Sequence, residues 1–225
     1  MEKRNNLPVF KGLPLVLVFL LAVVSFGCSK EDARLRHGFE SGRYRTIVAF
    51  GDSIVEGYGQ PEGWPEILGR ELSARFEGVR IFNAGRSGNT AADGVARIGK
   101  DVLDRKPDLV LISFGLNDMK NGVSVHSFAE NLVSIMEKVS GSGGTPVLMT
   151  TTRLQKGAGS LARVNPSPFN DVILRLADEK KVPLIDVWGQ FKGYNTGTYL
   201  MDVAHPNAEG YRVLAEIIRE GLVGE

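Results

Sequence analysis

The sequence predicts an α/β chain folded as a three-layer sandwich on a five-stranded parallel sheet. Two observations carry this. Short apolar runs alternate with stretches of helical spacing along most of the chain, the pattern of strands joined by crossover helices. The runs are apolar at successive positions instead of every second one, as expected of strands covered by helices on both faces.

The elements follow in order. Thr46–Phe50 is a buried strand that stops at Gly51. Trp64–Phe76 is a helix with Trp64, Ile67, Leu68 and Leu72 on one face. Val79–Phe82 is the second strand. Thr90 caps a helix running to about Arg105, with Val95, Ile98, Val102 and Leu103 inward. Asp108–Phe114 is the most strand-like run. Ser127–Val139 is an amphipathic helix that stops at the Gly141–Gly144 turn. Pro146–Thr150 is a strand, Phe169–Lys180 a helix, Val182–Val187 the fifth strand and Ala208–Leu222 the closing helix.

The amino-terminal region reads differently. Lys3, Arg4 and Lys11 precede an apolar run from Leu13 to Phe26, too short for a comfortable bilayer crossing of about 20 residues. Residues 1–27 are therefore expected to be a signal peptide. The Ser25-Phe26-Gly27-Cys28 end of the run resembles a bacterial lipoprotein processing site, which implies lipid on Cys28, export, and tethering to the cell envelope through a membrane anchor. Residues 28–43 are polar and charged and are expected to be a flexible tether, with His37 solvated. Residues 44–225 form the expected folded domain.

Composition excludes several functions. The chain holds 27 Lys and Arg against 26 Asp and Glu. Without residues 1–27 the balance falls to about −1, too near neutral for an electrostatic nucleic-acid binder. Cys28 is the single cysteine, so no intramolecular disulfide or Cys-x-x-Cys site exists. Three histidines, His37, His126 and His205, show no helical metal-ligand spacing. No metal and no organic cofactor is expected. Gly51–Gly57 does not continue into Lys-Ser/Thr, and no Gly-x-Gly-x-x-Gly follows a strand, which argues against a nucleotide or flavin binder.

Ligands of such sheets sit beyond the carboxyl ends of the strands, and four segments there carry chemistry. Gly51-Asp52-Ser53 places a hydroxyl at a strand end, beside backbone N–H groups that favour negative charge. Gly88 offers an unhindered N–H after the second strand, and Asn117 a side-chain donor after the third. Asp202 and His205 stand three apart before the last helix, where a carboxylate can orient an imidazole that activates a hydroxyl. His37 lies in the expected tether and His126 at the start of a polar-faced helix, leaving His205 placed to reach the strand ends.

Together these segments resemble the four sequence blocks of the SGNH/GDSL hydrolases: Gly51-Asp-Ser53, Gly88 with its flanks, Gly115-Leu-Asn117-Asp118 and Asp202-Val-Ala-His205. They occur in the family's order across about Thr46 to Leu222. The resemblance implies a flavodoxin-like sandwich. It implies Ser53 as nucleophile, His205 as general base, Asp202 as its orienting acid, and an oxyanion hole from Ser53, Gly88 and Asn117. It also implies hydrolysis of carboxylic esters or thioesters, with the lysophospholipase/thioesterase branch most similar because Trp64 follows Ser53 after only a short loop. Lysophospholipids, acyl thioesters and short acyl esters are the implied substrates. Acetyl groups on envelope sugars are the main rival, and a non-catalytic binding domain is a third reading. Arg153, Lys156 and Arg163, in the segment after the fourth strand, are either headgroup contacts or a solvated loop; the solvated loop is preferred.

Overall fold

A computed structural model describes residues 30–155 and 165–224. The expected signal peptide, Cys28, Lys156 and Arg163 lie outside these. Ten α-helices and five strands occur among the described residues in the order α1 (Lys30–Glu40), β1 (Thr46–Gly51), α2 (Ser53–Glu56), α3 (Trp64–Arg75), β2 (Arg80–Gly85), α4 (Ala91–Asp101), β3 (Leu109–Ser113), α5 (Leu116–Lys120), α6 (Val125–Gly141), β4 (Thr145–Met149), α7 (Ser167–Lys180), β5 (Leu184–Ile185), α8 (Val187–Gln190), α9 (Thr196–Tyr199) and α10 (Ala208–Val223). The strands form one parallel sheet in the order β2-β1-β3-β4-β5. Helices cover both faces, with α3 and α10 packed together and α4, α6 and α7 packed in series. The expected three-layer α/β sandwich is what forms.

The central strands are apolar throughout because both faces are covered. Ile47, Val48, Ala49 and Phe50 of β1 and Leu109, Val110, Leu111 and Ile112 of β3 are all buried. The sheet order puts β1 between β2 and β3, so the ends of the first three strands, and the loops that leave them, lie side by side.

Three local expectations need correction. The fifth strand is expected over Val182–Val187, yet only Leu184–Ile185 pairs. Pro183 has no N–H to give, and the Asp186 side chain turns away to cap α8 by accepting from Gly189 N at 3.0 Å. The helix after Thr90 ends at Asp101, four residues early, and a short 3₁₀ turn, Leu103–Arg105, finishes the segment.

The largest difference is the tether. Most of 28–43 is not a free linker, because Lys30–Glu40 is an α-helix. Leu35 and Phe39, four apart on one face, are each 1 % exposed, and α1 packs on α10. The Phe39 ring meets Tyr44 at 5.5 Å and Phe76 at 5.4 Å. Two apolar residues at helical spacing outweigh the polar average of the segment, since burial of one stripe is enough to fix a short helix. The packed body therefore includes α1, ahead of residue 44. His37 is on this helix and, as expected, exposed. Phe39→Ala should destabilise the chain by about 3–5 kcal/mol, read as a lower urea midpoint; an unchanged midpoint would mean the helix does not contribute to the fold.

Candidate active site

β1 ends in Gly51, whose lack of a side chain matters for packing: a Cβ there would collide with the Ser113 carbonyl of β3 and with Val55 of α2. The chain can therefore leave the sheet tightly against its neighbour. Asp52 caps α2, its Oδ1 accepting from Ile54 N at 2.9 Å. Ser53 is the first residue of α2, where backbone N–H groups have no intrahelical partner. Its side chain is nearly buried, at 8 % exposure.

The long connection before α10 brings the remaining pair to this point. Ser53 Oγ lies 2.9 Å from His205 Nε2, although 152 residues separate them. His205 Nδ1 lies 2.7 Å from Asp202 Oδ2. The other carboxylate oxygen, Oδ1, accepts from Ala204 N at 2.8 Å and His205 N at 2.7 Å. The Asp-x-x-His turn is thus closed by its own acid, which fixes the imidazole's direction. Burial pulls the Asp202 carboxyl upward, but these two N–H donors and the ring outweigh it and hold its pKa below the usual value. Tyr58, which follows the Gly57 cap of α2, lays its ring against His205 at 4.4 Å between centroids. Leu200 bridges to Pro206, and Met201 N donates to His205 O at 2.9 Å. Gln155 N donates to Val203 O at 2.8 Å. The histidine loop is thereby pinned from three sides.

Gly88 lies in the loop after β2 with φ +81°, and a Cβ there would meet nothing within 4 Å. The left-handed backbone explains glycine, and the space where a side chain would stand is open. The next residue, Asn89, uses its carbonyl to accept from Asn117 Nδ2 at 3.1 Å. Asn117 Nδ2 also lies 3.5 Å from Asp52 Oδ2. The segments bearing Ser53, Gly88 and Asn117 are therefore stitched together by one amide.

Several residues that hold this frame were not anticipated. Glu56 Oε2 accepts from Ser87 N at 2.9 Å and from the Ser87 hydroxyl. Arg97 of α4 donates to Gly51 O at 2.7 Å, Ala84 O at 2.8 Å and Asn89 Oδ1 at 2.6 Å, with its guanidinium 4.6 Å above the Phe50 ring. It thus clamps the ends of β1 and β2 and the Gly88 loop at once. Asp118, fully buried, accepts from Ala91 N at 3.1 Å and anchors the start of α4. A cation on the inward face of an amphipathic helix was the available signal for Arg97, since its side chain is 11 % exposed and lies one turn beyond buried Gly94.

Two carboxyls here are pushed upward. Burial raises Asp52 to about 7 and Asp118 to about 6, each opposed by backbone donors. A carboxyl whose pKa is higher folded than unfolded favours folding below its unfolded pKa, and that favour is lost as pH rises to the folded value. Asp52→Asn should remove this loss: its stability relative to the parent should improve by roughly 2–4 kcal/mol between pH 4 and pH 7.5, measured by urea unfolding at both pH values. A parallel pH dependence in the two proteins would show that Asp52 has the same pKa folded as unfolded.

Of the three cations after the fourth strand, Arg153 is among the described residues. Arg153 donates to Trp188 O at 2.9 Å and stacks 4.4 Å from its ring, so it staples the loop after β4 to α8. His126 is exposed beside Glu130 at 3.4 Å, in keeping with a structural role. Among the described residues no group of three or more His, Cys, Asp or Glu side chains is placed to share a metal ion.

A nucleophile-type hydroxyl at the carboxyl end of β1, joined through an imidazole to a carboxylate, defines the α/β serine-hydrolase class. The comparisons make this specific. The GDSL-like Lipase/Acylhydrolase family profile matches residues 49–213. The chain belongs to that family and is an ester-hydrolysing serine hydrolase. It is 30 % identical to the uncharacterized lipoprotein YqeF of Bacillus subtilis, covering 92 % of this chain and 97 % of that one. It is 27 % identical to an arylesterase of Vibrio mimicus over 92 % of this chain and 98 % of the other. The structure of a lipase/acylhydrolase from Enterococcus faecalis superposes with a TM-score of 0.70 at 29 % identity, covering 80 % of this chain and 96 % of that one.

Proposed function

We propose that Ser53 is the nucleophile, His205 the general base and then acid, and Asp202 the group that orients His205. The observation that carries this is the continuous Ser53–His205–Asp202 relay of 2.9 and 2.7 Å. Ser53 Oγ attacks the acyl carbonyl and its proton passes to His205 Nε2. The oxyanion is met by the N–H groups of Ser53 and Gly88 and by Asn117 Nδ2, whose longer contact, to Asp52, is the one redirected to substrate. His205 returns the proton to the leaving alcohol or thiol, leaving an acyl-serine. Water, deprotonated by His205, then releases the acid and restores Ser53. Losing one oxyanion donor costs about 10²–10³ in turnover.

The substrates are carboxylic esters or thioesters with short acyl groups or a lysophospholipid body. Exposed Tyr58 and Met201 beside His205 supply an apolar rim for such groups. A panel of p-nitrophenyl esters, lysophospholipids, acyl-CoAs and acetylated sugars tests this. Preference for acetylated sugars would replace it with the carbohydrate O-acetylesterase reading. The chain is exported and held at the bacterial envelope by lipid on Cys28, a reading that the likeness to a lipoprotein supports. Cys28→Ala should then wash from the membrane fraction in carbonate; full retention would remove the anchor.

A further inference from the structure

At the end of the sheet opposite Ser53, α1 runs beside the amino ends of β4 and β5 and leaves a pocket of about 450 Å³. Arg34, His37, Arg43 and Lys181 line it, and among the described residues no Asp or Glu does. Lys181 Nζ is shared with exposed Asp178 at 2.8 Å, and Arg43 stacks 5.4 Å from the Tyr44 ring. Ser41, Ser140 and Thr145 add hydroxyls, while Leu35, Pro146 and Val182 form an apolar floor. In a body of near-neutral charge, a concave site whose described charged lining is Arg34, Arg43 and Lys181 is a place where an anion is stabilised.

We propose that this pocket binds the phosphate of an anionic glycerophospholipid headgroup. Guanidinium groups with nearby hydroxyls match phosphate oxygens, and the apolar floor matches the glyceryl carbons. The choice of a lipid over a free phosphate rests on the Cys28 anchor reading: Arg34 follows Cys28 within about six residues of chain, so an anchored chain keeps the pocket close to the bilayer. Strands of five or six residues rise about 3.3 Å each, which sets Ser53 some 15–20 Å farther from that surface. Headgroup binding would hold the body upright on its anchor with the hydrolytic end facing away from the bilayer, toward esters, dispersed lysophospholipids among them, that arrive through water.

With three histidines in the chain, the His37 ring is a resolvable reporter. The full chain in neutral detergent micelles is titrated with phosphatidylglycerol, phosphatidylcholine and inorganic phosphate while the histidine ring resonances are followed. The expected result is movement of the His37 signal with phosphatidylglycerol at concentrations at least tenfold below those of inorganic phosphate, with no response to phosphatidylcholine. Arg34→Gln with Arg43→Gln, both on exposed side chains, should abolish the shift while hydrolysis of p-nitrophenyl acetate stays unchanged. A response to inorganic phosphate alone overturns the lipid assignment. No response, or one that survives the double substitution, overturns the pocket. Ser53→Ala and Cys28→Ala should each keep the His37 response, so failure of the hydrolase or anchor readings would register separately.

Discussion

Ser53→Ala lowers ester hydrolysis by about 10⁴-fold or more, with the fold intact. The size follows from what is removed. The Oγ atom is the bond-forming atom in the proposed reaction, and its 2.9 Å contact with His205 Nε2 is its way of losing a proton. What survives is binding and oxyanion stabilisation acting on water as a poor nucleophile. The structural cost is small by the same geometry. The side chain is nearly buried but occupies the first position of α2, where alanine is well tolerated, and the Asp52 cap on Ile54 N does not involve it. Initial rates on p-nitrophenyl acetate and a urea midpoint measured on the same preparation provide the check. Retained activity would remove Ser53 as nucleophile. Lost activity with a lowered midpoint would point instead to collapse of the β1 end.

The sheet was legible because its signal is local. Five apolar runs spaced by helical periods leave few arrangements for a chain of this length, and β1 and β3 need no tertiary information to be recognised. The site was legible for a different reason. The resemblance brought together Ser53 and His205, which no local rule could pair across 152 positions. What stayed hidden depends on pairwise contacts between segments. Nothing in the run Ala91–Asp101 announces that Arg97 will reach both Gly51 O and Asn89 Oδ1, because those acceptors come from other elements. Glu56 and Ser87 likewise meet only once α2 is laid against the β2 end. The segment before Tyr44 misled through averaging. Its charged composition describes the solvent face of α1 correctly, while Leu35 and Phe39 alone decide that it packs. β5 misled through its apolar run, which continues past the two residues that pair.

Asp202→Asn lowers hydrolysis by about 10³–10⁴-fold, more than the loss of one charge would suggest. Asp202 serves two sets of donors. Oδ1 takes the Ala204 and His205 backbone N–H groups, and Oδ2 takes His205 Nδ1. An asparagine keeps its single oxygen for the backbone pair, since those two donors cannot turn away without opening the loop. Its NH₂ then faces Nδ1 and donates to it. The ring must move its proton to Nε2, so the nitrogen 2.9 Å from Ser53 becomes a donor when a base is needed. The loop survives and the chemistry fails. Two measurements separate this from simple loss of structure. The urea midpoint should change little, because both backbone contacts persist. Activity should recover as pH rises far enough for hydroxide to act without His205, giving a profile that climbs through the alkaline range where the parent is flat. An Asp202→Asn protein with near-parent rates at neutral pH would mean that the ring is oriented by other contacts, with Tyr58 packed 4.4 Å away the first candidate.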